Sequence, residues 1–91
     1  MAEVIVTIKI MPSSPETNLE EIESKAREII EGHGKFVKAD ILPIAFGLKQ
    51  LNIVFTLDES KAEMLEAIEN KLKEIEGINS VETIDVRRAI G

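Results

Sequence analysis

Pro43-Ile44-Ala45-Phe46-Gly47-Leu48-Lys49-Gln50-Leu51-Asn52-Ile53 reads as a tight turn feeding directly into an alternating strand, and the rest of the chain can be placed on either side of it. Pro43 fixes its own φ and pushes Leu42 toward extended geometry, so the strand before the turn ends there. Gly47 opens backbone conformations closed to other residues. A large aromatic ring at the tip of such a turn is poorly placed to enter a core. Phe46 therefore either folds back over an open edge of its own domain or touches a second molecule.

Working outward, Val37, Ala39 and Ile41 line one side of the strand before the turn, and Leu51, Ile53, Phe55 and Leu57 line one side of the strand after it. Toward the N-terminus, Glu3 to Ile10 alternates, with Val4, Val6, Ile8 and Ile10 on one face, and Pro12-Ser13-Ser14-Pro15 ends that strand. Thr17 and Glu20 have capping-box spacing, which predicts a helix from Asn18 or Leu19. Its apolar stripe is Leu19, Ile22, Ala26, Ile29 and Ile30, and Gly32-His33-Gly34 stops it. Toward the C-terminus, Ser60 and Glu63 repeat the cap spacing. Leu65, Ile68, Leu72 and Ile75 form a second stripe, closed by Gly77, and Ser80 to Arg88 supplies a last strand through Val81, Ile84 and Val86.

The order is β-α-β-β-α-β in two similar halves. Such an order predicts an α+β, ferredoxin-like sandwich, a four-stranded antiparallel sheet with both helices on one face. Val4, Val6, Ile8, Leu19, Ile22, Ile29, Ile53, Phe55, Leu65, Ile68, Leu72 and Ile84 are expected to share its core. In this topology the turn bearing Phe46 and the cations Arg87 and Arg88 lie at opposite ends of the sheet, roughly 25–30 Å apart at about 3.3 Å per strand residue.

With 91 residues, 44% of them apolar, the chain is read as one domain spanning positions 1–91 with a single core. It has no Cys, so neither a disulfide framework nor a thiolate metal site is available. Val4 to Ile10 is too short to span a bilayer and lacks a basic start, so a cytoplasmic protein with no membrane partner is expected. The formal charge of −6 argues against direct nucleic-acid binding, which depends on phosphate neutralisation, and favours a partner with a basic surface. The abundance of Glu, Lys and Ile suggests a thermophilic source.

Catalytic chemistry finds little purchase. Glu20, Glu21, Glu23, Glu28 and Glu31 are interleaved with Lys25 and Arg27 at four-residue spacing, the pattern of a solvated helix face. Glu63, Glu66, Glu69, Glu74 and Glu76 with Lys71 and Lys73 follow the same pattern. His33 is the only histidine and sits between two glycines, where neither a metal site nor a well-positioned general base can form. No Gly-rich phosphate cradle and no nucleophile–base arrangement is present. Neither enzymatic activity, a cofactor nor a bound metal is expected. The ferredoxin-like fold also carries RNA-binding and amino-acid-sensing domains. RNA binding needs aromatic side chains on the open sheet face, and that face would show Thr7, Lys9, Gln50 and Asn52. A small-molecule (amino-acid) sensing regulatory domain stays open as an alternative, because its ligand contacts are largely backbone.

The turn also carries a family likeness. Pro43, Ile44, Ala45, Phe46, Gly47, Leu48, Lys49, Leu51 and Ile53 fill every place of a signature that resembles the guanine-nucleotide-exchange domain family of translation elongation factor 1-beta. Val6-Thr7, Pro12 and Glu16-Thr17-Asn18-Leu19-Glu20-Glu21 are similar to the family's first strand and helix start, and Ile84-Asp85-Val86-Arg87-Arg88 to its archaeal branch. The resemblance implies GDP-to-GTP exchange on the GTPase elongation factor 1-alpha. It implies contacts to that partner from Pro43, Phe46, Gly47 and Lys49, and from the C-terminal Arg87, Arg88 and Ile90. In eukaryotic relatives a lysine near the C-terminus is thought to disturb the bound magnesium and phosphates. Here Ala89-Ile90-Gly91 holds no lysine, and Arg88 is the nearest stand-in.

Overall fold

The computed structural model describes residues 2–89. Its elements are β1 (Glu3–Pro12), α1 (Leu19–Glu31), β2 (Lys35–Pro43), β3 (Lys49–Asp58), α2 (Leu65–Lys73) and β4 (Ile78–Arg88), with short 3-10 segments at Ala45–Gly47 and Glu59–Met64. The sheet order is β2-β3-β1-β4 and every neighbouring pair is antiparallel. This is the ferredoxin-like arrangement that the alternating patterns predict. Among the described residues no helix is long and apolar enough to cross a membrane.

Alternation in β1 and β3 places Val4, Val6, Ile8 and Ile10 against Leu51, Ile53, Phe55 and Leu57, all buried on the helix side. Leu19, Ile22, Ala26 and Ile30 of α1 and Ile68 and Leu72 of α2 close the core, with Ile29, Leu65, Ile75 and Phe36 packed at its margin. Burying such side chains is the main stabilising term in a domain this small. The Arg27 guanidinium stacks 4.5 Å from the centre of the Phe36 ring, sealing the gap between α1 and β2. Gly34 lies where β2 begins, so close to β3 that an added Cβ would stand 2.1 Å from the Thr56 carbonyl oxygen.

Two apolar strand residues, Val37 and the expected core member Ile84, are displaced by β-bulges. The β2–β3 register shifts between Phe36 and Lys38, which turns Phe36 inward and leaves Val37 51% exposed. The β1–β4 register shifts between Thr7 and Ile8, whose partners are Asp85 and Thr83. Ile84 is the extra residue and is 47% exposed. A one-residue insertion reverses which side chains face the core. Both bulges lie on the outer strands, where they also twist the unpaired edges away from regular pairing.

The helix starts are shifted as well. Asn18, not Thr17, caps α1, its Oδ1 accepting from the N–H groups of Glu20 and Glu21 at 3.0 and 3.2 Å. Ser60 does not cap α2. Asp58 accepts from the Ser60 N–H and hydroxyl and opens the 3-10 segment instead, and α2 begins only at Leu65. Of the expected helix ion pairs Glu21–Lys25 forms at 3.4 Å, whereas Arg27 bonds Glu31 rather than Glu23.

Candidate partner interface

At one end of the sheet β2 and β3 meet in the turn around Phe46. Pro43 pairs with Lys49, beyond which the Ile44 N–H donates to the Leu48 carbonyl at 2.8 Å and the Leu48 N–H to that of Ala45 at 3.3 Å. Phe46 (φ 62°, ψ 31°) and Gly47 (φ 74°) both take left-handed conformations, the arrangement of a type I′ hairpin turn. Its first central position ordinarily holds Gly, or Asn or Asp, because a Cβ there crowds the next carbonyl and only a short polar side chain offsets this with a local hydrogen bond. Here a Phe fills it. The ring is 95% exposed, so it does not fold back over its own domain. Ile41, on the helix side, and Leu42, on the open face, are also exposed, so apolar side chains flank the turn on both faces of β2. Lys49 and Ile41 border an open hollow of about 200 Å³ between β1, the start of α1 and this hairpin.

At the opposite end β4 runs out beside β1. Ile5 faces Arg87 and Val4 faces Arg88, and the Ala89 N–H donates to the Glu3 carbonyl at 2.7 Å. Strand alternation sends the two arginines to opposite faces. Arg87 lies on the open face with Asp85, whose Oδ2 is 2.8 Å from its Nε. Arg88 lies on the helix side and bonds Glu59 of the 3-10 segment. The next residue back, Asp58, has its carboxyl held below the usual carboxylate range by the hydroxyl and backbone hydrogen bonds from Ser60, helped by Lys61. Ile90 lies outside the described residues.

The pairing Val4–Arg88 at one limit and Pro12–Ile78 at the other spans eight steps of β1, or roughly 26 Å at about 3.3 Å each. Pro43, Phe46, Gly47 and Lys49 thus gather at one end, and Arg87 and Arg88 at the other, too far apart for one compact pocket. The open sheet face between them presents Thr7, Lys9, Gln50 and Asn52 at intermediate exposure, without an aromatic. Strand residues carry cations and carboxylates in near balance, so the excess negative charge lies on the helices and their flanking turns. Among the described residues no group of three or more His, Asp or Glu side chains is arranged to hold a metal ion. Sequence reading missed Glu59, because its contact with Arg88 joins positions 29 apart through a strand register that no local pattern encodes.

Residues 5–89 match the EF-1 guanine nucleotide exchange domain. Elongation factor 1-beta of Methanothermobacter thermautotrophicus is 40% identical over 88 residues, covering 97% of this chain and 98% of the relative. That of Methanocaldococcus jannaschii is 40% identical over 90 residues, covering 98% and 100%. Among solved structures the ACT domain from GTP pyrophosphokinase of Chlorobium tepidum superposes with a TM-score of 0.63 at 14% identity, over 90% of this chain and 99% of that one. A putative antibiotic biosynthesis monooxygenase from Bacillus cereus gives 0.52 at 17% identity, over 100% and 96%. At such identities the likeness is one of fold alone.

Proposed function

The chain belongs to the EF-1 guanine nucleotide exchange domain family, and from that premise we propose that it promotes release of GDP from elongation factor 1-alpha in the cytoplasm, so that GTP can take its place. It makes and breaks no covalent bond. The observation that carries this reading is the family match, which runs through every strand and helix. To act, the protein must bind the nucleotide-free GTPase more tightly than the GDP-bound form. Each tenfold weakening of GDP requires about 1.4 kcal/mol of that difference, and the coupling is reciprocal.

The two ends suit two tasks. Phe46, held out on a strained turn with Pro43, Gly47 and Lys49 around it, is the anchor on a region of the GTPase away from the nucleotide. An exposed aromatic ring in a fixed backbone loses little freedom on docking and fills a pocket well. Arg87, Arg88 and the tail through Ile90 reach toward the nucleotide-binding domain, where a cation competes for the phosphates and their magnesium. Gripping the GTPase at separated points lets binding energy at one end distort the nucleotide site at the other. The test is the release of labelled GDP from the cognate elongation factor 1-alpha with and without this protein. Acceleration at substoichiometric factor supports the reading; release at the intrinsic rate overturns it.

A further inference from the structure

The bond between Arg88 and Glu59 joins two backbones that are each fixed by other contacts. Arg88 is the last residue of β4, opposite Val4, and the following Ala89 N–H is bonded to the Glu3 carbonyl. Glu59 opens the 3-10 segment that Asp58 caps, and its own N–H donates to the Ala2 carbonyl at 3.0 Å. A guanidinium at the end of four rotatable bonds is thereby aimed across the helix-side rim, with only one NH₂ group engaged by Glu59. Among the described residues, Arg87 has no such support from another element. Its partner Asp85 is two residues away on the same strand, so that pair lies flat along the open face.

We propose that Glu59 is a positioning residue for nucleotide exchange, holding the Arg88 guanidinium ready to meet an anionic group at the partner's nucleotide site, and that of the two arginines Arg88 contributes more to that contact. The inference rests on the reading that the β4 end acts on release. Immobilising a long side chain only on binding carries an entropic penalty, and one already held in place avoids most of it. Both partners are substantially exposed, 66% for Arg88 and 42% for Glu59. The bond is therefore weak enough to yield to a stronger anion.

The test is catalysed GDP release as a function of factor concentration for Glu59→Gln, Glu59→Asp, Arg88→Ala, Arg87→Ala and the double variant Glu59→Gln/Arg88→Ala, alongside melting curves. Arg88→Ala should lower the maximal rate roughly tenfold or more. Glu59→Gln should lower it roughly three- to tenfold, the loss expected when one long side chain must be ordered afresh. In both, the half-saturating concentration and the melting temperature should stay close to those of the parent. Glu59→Asp should recover part of the rate, the double variant should be no slower than Arg88→Ala, and Arg87→Ala should lower the rate less than Arg88→Ala does. If Arg88→Ala is slow while Glu59→Gln matches or exceeds the parent, Glu59 does not position Arg88 and the inference fails alone. If Arg88→Ala itself keeps the parent rate, the reading of the β4 end fails and the inference falls with it.

Discussion

The two ends of the sheet solve opposite problems. At the β2–β3 turn a large apolar ring stands in water on a backbone conformation that disfavours it; at the β4 end each arginine is already neutralised by a carboxylate of the same chain. The first end is left unsatisfied, and an unsatisfied apolar ring in a fixed position gains most when a pocket covers it. The second end is satisfied but weakly, since exposed ion pairs contribute little, so its charges can be exchanged for better ones at low cost. Under the proposed function, one end would therefore serve affinity and the other a change of partner during exchange. Strain persists at functional sites only where the surrounding structure holds it, and here the ladder up to Pro43–Lys49 does so.

The largest effect should come from the segment common to both ends. Ile53 is fully buried midway along β3, and Ile53→Ala should cost about 2–5 kcal/mol of folding stability through the lost transfer energy and the cavity left behind. Denaturant unfolding checks this. Because the loss is global, binding and maximal rate should both be normal in whatever fraction stays folded; loss at one end alone would show that the ends are not carried by one core.

Phe46→Ala comes next and separates the ends. Affinity for the GTPase should fall by about 2 kcal/mol or more, roughly thirtyfold, as for other interface aromatics. The melting temperature should barely move, since the ring packs against nothing. A clear loss of melting temperature with intact binding would return Phe46 to a structural role.

Phe46→Asn sharpens the same point in the opposite direction. Asn tolerates the left-handed region far better than Phe, so relief of strain should raise stability by up to about 1 kcal/mol, a shift of roughly 4–8 °C for a domain of this size. Binding should weaken as much as in Phe46→Ala. A variant that is stabilised but binds weakly is the signature expected of strain retained for function.

The smallest effect belongs to the β4 end and depends on pH. Asp58 titrates below its ordinary value of 3.8 because Ser60 hydrogen-bonds its charged form. A depressed carboxyl contributes stability that is fully present above its unfolded pKa and lost as pH falls through the folded one. The stability difference between the parent and Asp58→Ala should therefore be constant near neutrality and shrink below about pH 3.8. A difference that instead grows on acidification would contradict the cap.

How much of this was legible beforehand follows the physics of each signal. Alternation and helical stripes fixed the element order, because burial on one face acts on every residue of an element. The same rule misplaced Val37 and Ile84. A bulge is set by pairing with a neighbouring strand and leaves no periodic trace. Thr17 and Ser60 matched the cap pattern, yet Asn18 and Asp58 stood close by with side chains that cap at least as strongly. The exposed ring was readable because Pro43 and Gly47 fix the turn locally. Which face Arg88 takes was not, since it depends on a register shift at Ile84, far along the chain from the turn, and on a contact with Glu59 across the fold.

The most direct test of the two-ended account compares two proteins in one experiment: concentration-dependent release of labelled GDP from elongation factor 1-alpha by Phe46→Ala, and by Arg87→Ala/Arg88→Ala with Ala89 to Gly91 removed. Phe46→Ala should need far more factor to reach half-maximal release and then approach the parent's maximal rate. The C-terminal variant should saturate near the parent concentration at a much lower rate. If both lose affinity and maximal rate in the same proportion, the division between an anchoring end and a releasing end is wrong.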